Sequence, residues 1–321
     1  TRLTSVRFLA LRNRNGGSDP SAYFGDERST VHAGHCEVTW TPIRALNAIS
    51  ENSPIYIPSE DLDVTAVIEL PVQVFWREFA SRVADRRPVL FVHGYNVGFE
   101  RGCQWAARFS ENLALDDRLL LFSWPSDGAV LNYTRDEADV VWSVKHLRET
   151  LTRMEMLFGR GGFDVVGHSL GARGTALALA GMIGLPADAE PLVDRLVLVA
   201  ADIDAAIFRQ MLPRLTHQAR HLTAYVSDND NALSLSRELH GYPRLGEVGP
   251  HLVDLRGVEL VDVSPLPVRR VSGHLYHLYN RHAARDMSEL LNDRLDAAGR
   301  SQPVRVDPTI ANLWRLPTPD D

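Results

Sequence analysis

From about residue 88 the chain alternates short apolar runs with longer segments whose apolar residues recur every three or four positions. The runs VLFVH (89–93), LLLFSW (119–124), FDVVG (163–167), RLVLVA (195–200), HLTAYVS (221–227) and VELVDV (258–263) predict strands. They lack polar alternation, which suits strands covered on both faces. Between them GFERGCQWAARFSENLAL, YTRDEADVVWSVKHLRETLTRMEMLF, LGARGTALALAGMIG, AAIFRQMLPRL and NALSLSRELHG predict helices. The alternation implies a mostly parallel, doubly wound sheet. Upstream, SVRFLALRN, HCEVTWTP and DVTAVIEL predict antiparallel leading strands and VQVFWREFASRVAD a helix. NGGSDPSAYFGDERST (15–30) predicts an exposed loop between the first two strands. The whole reads as a single α/β domain over 1–297, with 1–87 as leading strands and helix and 88–297 as catalytic core. Residues 298–321 form a proline-rich tail expected to run irregularly over the surface.

Composition narrows the function classes. With 45% hydrophobic and 23% charged residues the 321-residue chain is of ordinary globular type. The net charge of −7 comes without a basic face, so neither nucleic acid nor anionic lipid is an expected partner. No apolar stretch approaches the ~20 residues of a spanning helix. The chain starts at Thr1 without a signal-peptide pattern, so a soluble protein is expected, cytoplasmic or exported after leader removal. The two cysteines, Cys36 and Cys103, are expected as free thiols, a single bridge being the other possibility.

The candidate chemistry starts at FDVVGHSLG (163–171), where a serine stands between two glycines as a strand pattern gives way to a small-residue helix. That is the setting of a nucleophile elbow. A serine capping an ordinary helix would not require glycine on both sides. Ser169 is therefore the candidate nucleophile, and it needs a histidine base oriented by a carboxylate. In this fold the chain order is serine, acid, histidine. Asp230, opening the helix NALSLSREL after the strand HLTAYVS, is the preferred acid, with Asp228 and Asp202 or Asp204 as alternatives. His274 is the preferred base, in an irregular segment beyond VELVDV, while His277 is expected to pack. The oxyanion hole is expected from the backbone N–H groups of Leu170 and Tyr95, and His93 is expected to brace the loop that carries Tyr95.

His168, Trp124, Ser126 and Asn96 are the candidates for the substrate pocket, with core packing as the plainer role for Trp124. His32, His35 and Cys36, and the pair His274 and His277, have loosely metal-like spacing but no convincing further ligands, so no metal is expected. No G-x-G-x-x-G or G-x-x-x-x-G-K-[ST] occurs, so no nucleotide cofactor is expected. The expected partner is a small-molecule ester.

The segments VLFVHGYNVGFE, LFSWPSDG with Tyr133 following, FDVVGHSLGAR, AADIDAAIF, YVSDNDNALSLSRELHG and SGHLYHLYN together resemble the bacterial α/β-hydrolases catalogued as domain of unknown function 900, grouped with the esterase and lipase superfamily. FLALRNRN and FGDERSTVHAGHCEVTW are similar to that family's opening strands, so the likeness covers roughly residues 5 to 295. FLALRN departs from the family's threonine-rich strand end, a difference placed at the sheet's edge and away from the site. The resemblance implies an α/β-hydrolase fold with Ser169 as nucleophile, Asp230 as acid and His274 as base. The residues predict a serine esterase working through an acyl-enzyme. Only about 20 residues separate RLVLVA from HLTAYVS, too few for a bulky lid beside a helix of typical length, which predicts short or medium acyl chains. A thioesterase, acyltransferase or amidase would use the same triad, and a non-catalytic binding protein is the alternative of a different class.

Overall fold

The computed structural model describes residues 1–43, 59–129, 132–182, 188–267, 273–306 and 312–318. The predicted strands and helices form among the described residues, most with ends moved by a few residues and the second strand starting well before its predicted place. The strands are β1 (Arg2–Arg14), β2 (Phe24–Pro42), β3 (Glu60–Leu70), β4 (Val89–Val92), β5 (Leu119–Ser123), β6 (Asp164–His168), β7 (Val193–Val199), β8 (Ala219–Val226), β9 (Val258–Asp262), β10 (Val304–Arg305) and β11 (Leu313–Arg315). The helices are α1 (Val72–Val83), α2 (Phe99–Asn112), α3 (Tyr133–Phe158), α4 (Leu170–Ala180), α5 (Ala205–Gln218), α6 (Asn231–His240), α7 (Tyr276–Tyr279) and α8 (Arg281–Leu291). Residues 183–184 of the predicted third helix and 268–272 of the segment before His274 lie outside the described residues.

All the strands join one sheet in the order β10-β11-β9-β8-β7-β6-β4-β5-β1-β2-β3. The central pairs from β1 through β9 are parallel, and β2 and β3 run antiparallel on the leading side. Alternate residues of the central strands feed two cores. Leu90, Val92, Val165 and Leu196 pack with α1, α3, α4 and α5 on one face. Val89, Phe91, Val166 and Val197 pack with α2 and α8 on the other. Fully buried strands with apolar residues on both faces are what their unbroken apolar runs require.

Three expectations change. Polar as it is, FGDERST does not lie in a loop but in β2, which starts at Phe24 and pairs with β1 in a half-exposed ribbon where polar side chains face solvent. The tail is not wholly irregular: β11 adds to β9 in parallel, and β10 pairs with β11. Prolines bracket these short strands rather than interrupting them. Cys36 and Cys103 are not free thiols but a disulfide, because α2 packs over β1 and β2 and sets Cys103 above Cys36.

Candidate active site

β6 is pinned between β4 and β7, so the position of Ser169 at its end is set by two ladders. Ser169 has φ 56° and ψ −121°, a backbone state that costs a non-glycine residue on the order of 1–3 kcal/mol. Neighbouring backbone holds it there. Its N–H donates to the Val199 carbonyl at 3.0 Å, and its carbonyl accepts from the Asp202 N–H at 3.3 Å and the Ala172 N–H at 3.1 Å. Its side chain makes no capping hydrogen bond to α4, so the plain helix-cap role is not the one it plays.

The flanking glycines follow from the same crowding. A Cβ on Gly171 would stand 2.2 Å from the His93 carbonyl oxygen, and one on Gly167 would stand 2.7 Å from the Ala172 Cα. A Cβ on Gly94 would lie 2.8 Å from the Ser169 Cβ, so the loop after β4 passes directly against the elbow.

His274 and Asp230 meet. The Asp230 Oδ2 lies 2.6 Å from the His274 Nδ1, and its Oδ1 accepts the Leu233 N–H at 3.0 Å as the cap of α6. One carboxylate thus starts a helix and orients an imidazole. Burial works against a charged His274, but the Asp230 charge and hydrogen bond outweigh it and hold the pKa above the ordinary histidine value. The His274 ring lies 4.6 Å, centroid to centroid, from that of His168, the residue before Ser169.

The alternative acids stand elsewhere. Asp228 is exposed, and Asp204 caps α5 by accepting the Ala206 and Ile207 N–H groups at 2.8 and 3.1 Å. Asp202 is buried among cations. It accepts from the Arg244 Nε at 2.7 Å and the Ser236 hydroxyl at 2.7 Å, pairs with Arg173 at 3.4 Å and takes a hydrogen bond from the Tyr133 hydroxyl. Burial raises its pKa, but Arg173 and Arg244 outweigh that and keep it below the usual carboxylate range.

Leu170 is the first residue of α4, where N–H groups of the opening turn have no partner within the helix. Tyr95 lies in the loop after β4, its ring edge-on to Tyr133 at 5.2 Å, and Asn96 beside it adopts φ 61°. The Asn96 N–H donates to the Asp136 carboxylate at 3.1 Å, so this residue stays on the loop beside the elbow.

Trp124 and Ser126 are placed differently from the pocket expected for them. Both are wholly buried behind the loop. The Trp124 Nε1–H donates to the His93 carbonyl at 2.7 Å, and the indole stacks on the His93 ring at 5.1 Å. The Ser126 hydroxyl accepts the Val97 N–H at 2.9 Å and donates to Asp136 at 2.5 Å. His168 likewise turns inward and is buried. His93 sits inside this brace, and burial pushes its pKa down to about 3. His277 packs against Phe91 and Phe109 and is pushed down by burial to about 3 as well.

The residue that sequence reasoning missed is Arg12. FLALRN is not at the edge of the sheet, since β1 lies between β5 and β2. Arg12 is fully buried and donates to the Val97 carbonyl at 2.7 Å, the Ser126 carbonyl at 2.8 Å and the Ser123 hydroxyl at 2.8 Å. It thereby ties β1 to the loop beside Ser169. Burial pushes its pKa down to about 10. An arginine closing the apolar run SVRFLAL is the signal that could have disclosed it, because a buried cation must find several acceptors.

Among solved structures the chain is similar to a protein from Thermoplasma acidophilum described as a "predicted CIB-like hydrolase", at 12% identity and TM-score 0.40 over 90% of this chain and 99% of that one. It is also similar to a hyperthermophilic esterase from Pyrobaculum calidifontis, at 12% identity and TM-score 0.39 over 91% of this chain and 86% of that one. Comparison with curated proteins finds no match. Residues 73–294, most of the chain and every part of the elbow, loop and His274 segment, match the family described as "Alpha/beta hydrolase of unknown function (DUF900)", and the chain belongs to that family, with its α/β-hydrolase fold.

Proposed function

We propose that the protein is a serine hydrolase that cleaves carboxylic esters through an acyl-enzyme, with Ser169, His274 and Asp230 as its triad. The observation that carries the reading is the buried Asp230–His274 pair at 2.6 Å, with the imidazole packed against the residue preceding a backbone-strained serine. His274 takes the hydroxyl proton as the Ser169 Oγ attacks the ester carbonyl. The negative charge growing on the carbonyl oxygen meets the N–H groups of Leu170 and Tyr95, each such donor being worth about 2.7–4 kcal/mol in the transition state. His274 returns its proton to the departing alkoxide, leaving Ser169 acylated. Water then attacks the acyl carbon by the same route and frees the acid. Asp230 holds the proton of His274 on Nδ1, so that Nε2 serves as base, and stabilises the imidazolium formed in each step.

Short and medium acyl chains are the proposed substrates, because α5 is the helix that joins β7 to β8 and no lid accompanies it there among the described residues. A fluorophosphonate probe tests the mechanism. It is expected to label the protein but not Ser169→Ala, whose kcat on butyryl esters should fall on the order of 10⁶-fold. Activity surviving in Ser169→Ala above a percent rejects the mechanism, and faster turnover of palmitoyl than butyryl esters rejects the chain-length assignment.

A further inference from the structure

A histidine ending an apolar strand and buried to the last few per cent needs a reason, since an imidazole loses its water on burial and must recover hydrogen bonds inside. His168 is such a residue: it follows Val165, Val166 and Gly167 in β6 and is 1% exposed. Its Nε2 lies 3.1 Å from the backbone carbonyl oxygen of His274. A carbonyl only accepts, so the proton is on Nε2 and the imidazole donates. Nδ1 is then the bare nitrogen, and it has no hydrogen-bond partner among the described residues. It faces Gly94, where a Cβ would stand 2.6 Å away.

The ring is held on several sides. It lies 4.6 Å from the ring of His274, 4.2 Å from that of His277 and 6.2 Å, edge-on, from Trp105. His168 therefore touches both halves of the site, the loop carrying Tyr95 through Gly94 and the segment carrying His274 through its carbonyl. That segment needs an anchor, because Gly273, His274 and Leu275 lie outside any strand or helix and the α7 that follows is a single turn. Gly273 supplies one constraint: it has φ 64°, and a Cβ there would fall 1.9 Å from the Asn229 carbonyl oxygen.

We propose that His168 is a positioning residue whose Nε2–H holds the His274 peptide, so that the base is fixed at two points, its carbonyl by His168 and its Nδ1 by Asp230. The proposal rests on the reading of His274 as the base. Packed against His274 are the acid Asp230 and the neutral rings of His168 and His277, with the charge of Asp202 further off; around His168 stand His274, His277 and His93. Burial and these neighbouring histidines keep His168 neutral, its pKa well below the ordinary value. A neutral spacer beside the base does not oppose the imidazolium that forms there during turnover.

The test pairs two substitutions with one measurement on the unaltered chain. His168→Gln keeps an amide donor near the place of Nε2, whereas His168→Leu keeps bulk without a donor. In folded His168→Leu, kcat is expected to fall on the order of 100-fold with KM within about twofold, the cost of a base out of register, and the pH midpoint of kcat/KM should move. His168→Gln should recover activity to within about tenfold of the unaltered protein and restore the midpoint. Equal loss in both variants, or none in His168→Leu, overturns the proposal. Nitrogen-15 NMR of histidine-labelled protein requires no variant to fold. It should show His168 as the neutral Nε2–H tautomer throughout pH 5–8, and an Nδ1–H tautomer or a titration within that range overturns the proposal. Fluorophosphonate labelling that persists in Ser169→Ala removes the triad reading by itself, leaving the tautomer of His168 and its bond to the His274 peptide to be judged by the NMR arm.

Discussion

Asp202 and Asp230 occupy equivalent places, just past the carboxyl ends of the neighbouring strands β7 and β8, and both are buried, yet their surroundings are opposite. Asp202 is saturated: Arg173, Arg244, Tyr133 and Ser236 converge on its carboxylate, and its own N–H grips the Ser169 carbonyl. Asp230 has one helix N–H on one oxygen and one imidazole on the other. A carboxylate ringed by guanidinium groups has no lone pair to direct a base, so it serves to hold the elbow's surroundings in place. A carboxylate with a single titratable partner can bias that partner's tautomer and charge. Burial at the end of a strand thus does not by itself mark an orienting acid, the role proposed for Asp230. The partners do.

That contrast makes ordered predictions. The largest effect should be that of Asp230→Asn, which is expected to lower kcat about 10⁴-fold by favouring the wrong His274 tautomer while the protein stays folded. Ester turnover and circular dichroism on the same sample decide it, and a matching loss in Asp202→Asn would erase the distinction. Next comes stability. Asp202→Ala leaves Arg173 and Arg244 buried without their shared carboxylate and should cost about 3–5 kcal/mol in urea unfolding. If unfolding moved by less than a kcal/mol, the network around Asp202 would not be the structural hub described here.

A smaller effect lies in the pH profile. A base must be neutral to accept a proton, and the folded-state pKa of His274 is raised, so kcat/KM should climb with pH through a midpoint above the ordinary value of about 6.5 and be lost as pH falls below it. Asp230→Asn should bring that midpoint down, and Asp202→Asn should move it less; the reverse order would assign the orienting role to Asp202. The smallest effect belongs to Asp228→Asn, an exposed position, where activity should stay within about twofold and stability within about 0.5 kcal/mol.

Part of the site was legible in the sequence, though the network around Asp202 was not. The elbow was legible because G-x-S-x-G between a strand and a small-residue helix has few other uses, and the crowding at Gly167 and Gly171 supplies the physical reason. The approach of Asp230 to His274 was legible because parallel strands bring their carboxyl ends to one rim. The inward turn of Trp124 and Ser126 was not, since it is decided by His93 for Trp124 and by Asp136 and the Val97 N–H for Ser126, contacts that exist only once the loop after β4 is packed against β5. The bridge between Cys36 and Cys103 was hidden for the same reason, with 67 positions separating residues that only the packing of α2 on the sheet brings together. The polar stretch of β2 misled because a ribbon exposed on one side has no need of an apolar run.

The two ends of the sheet resist self-association by unlike means. An outermost strand offers unpaired amides and carbonyls that another copy could extend into a growing stack. On the leading side, among the described residues, that strand is β3, whose sequence EDLDVTAVIEL sets Asp61 and Asp63 along it, with Glu60 and Glu69 paired to Arg2 and Arg14, so an approaching copy meets charged groups rather than an apolar edge. On the trailing side β11 seals β9, and the outermost position falls to β10, which is just Val304 and Arg305, too short to template a neighbour. Cutting the chain after residue 300 would uncover β9 and turn a closed border into a sticky one.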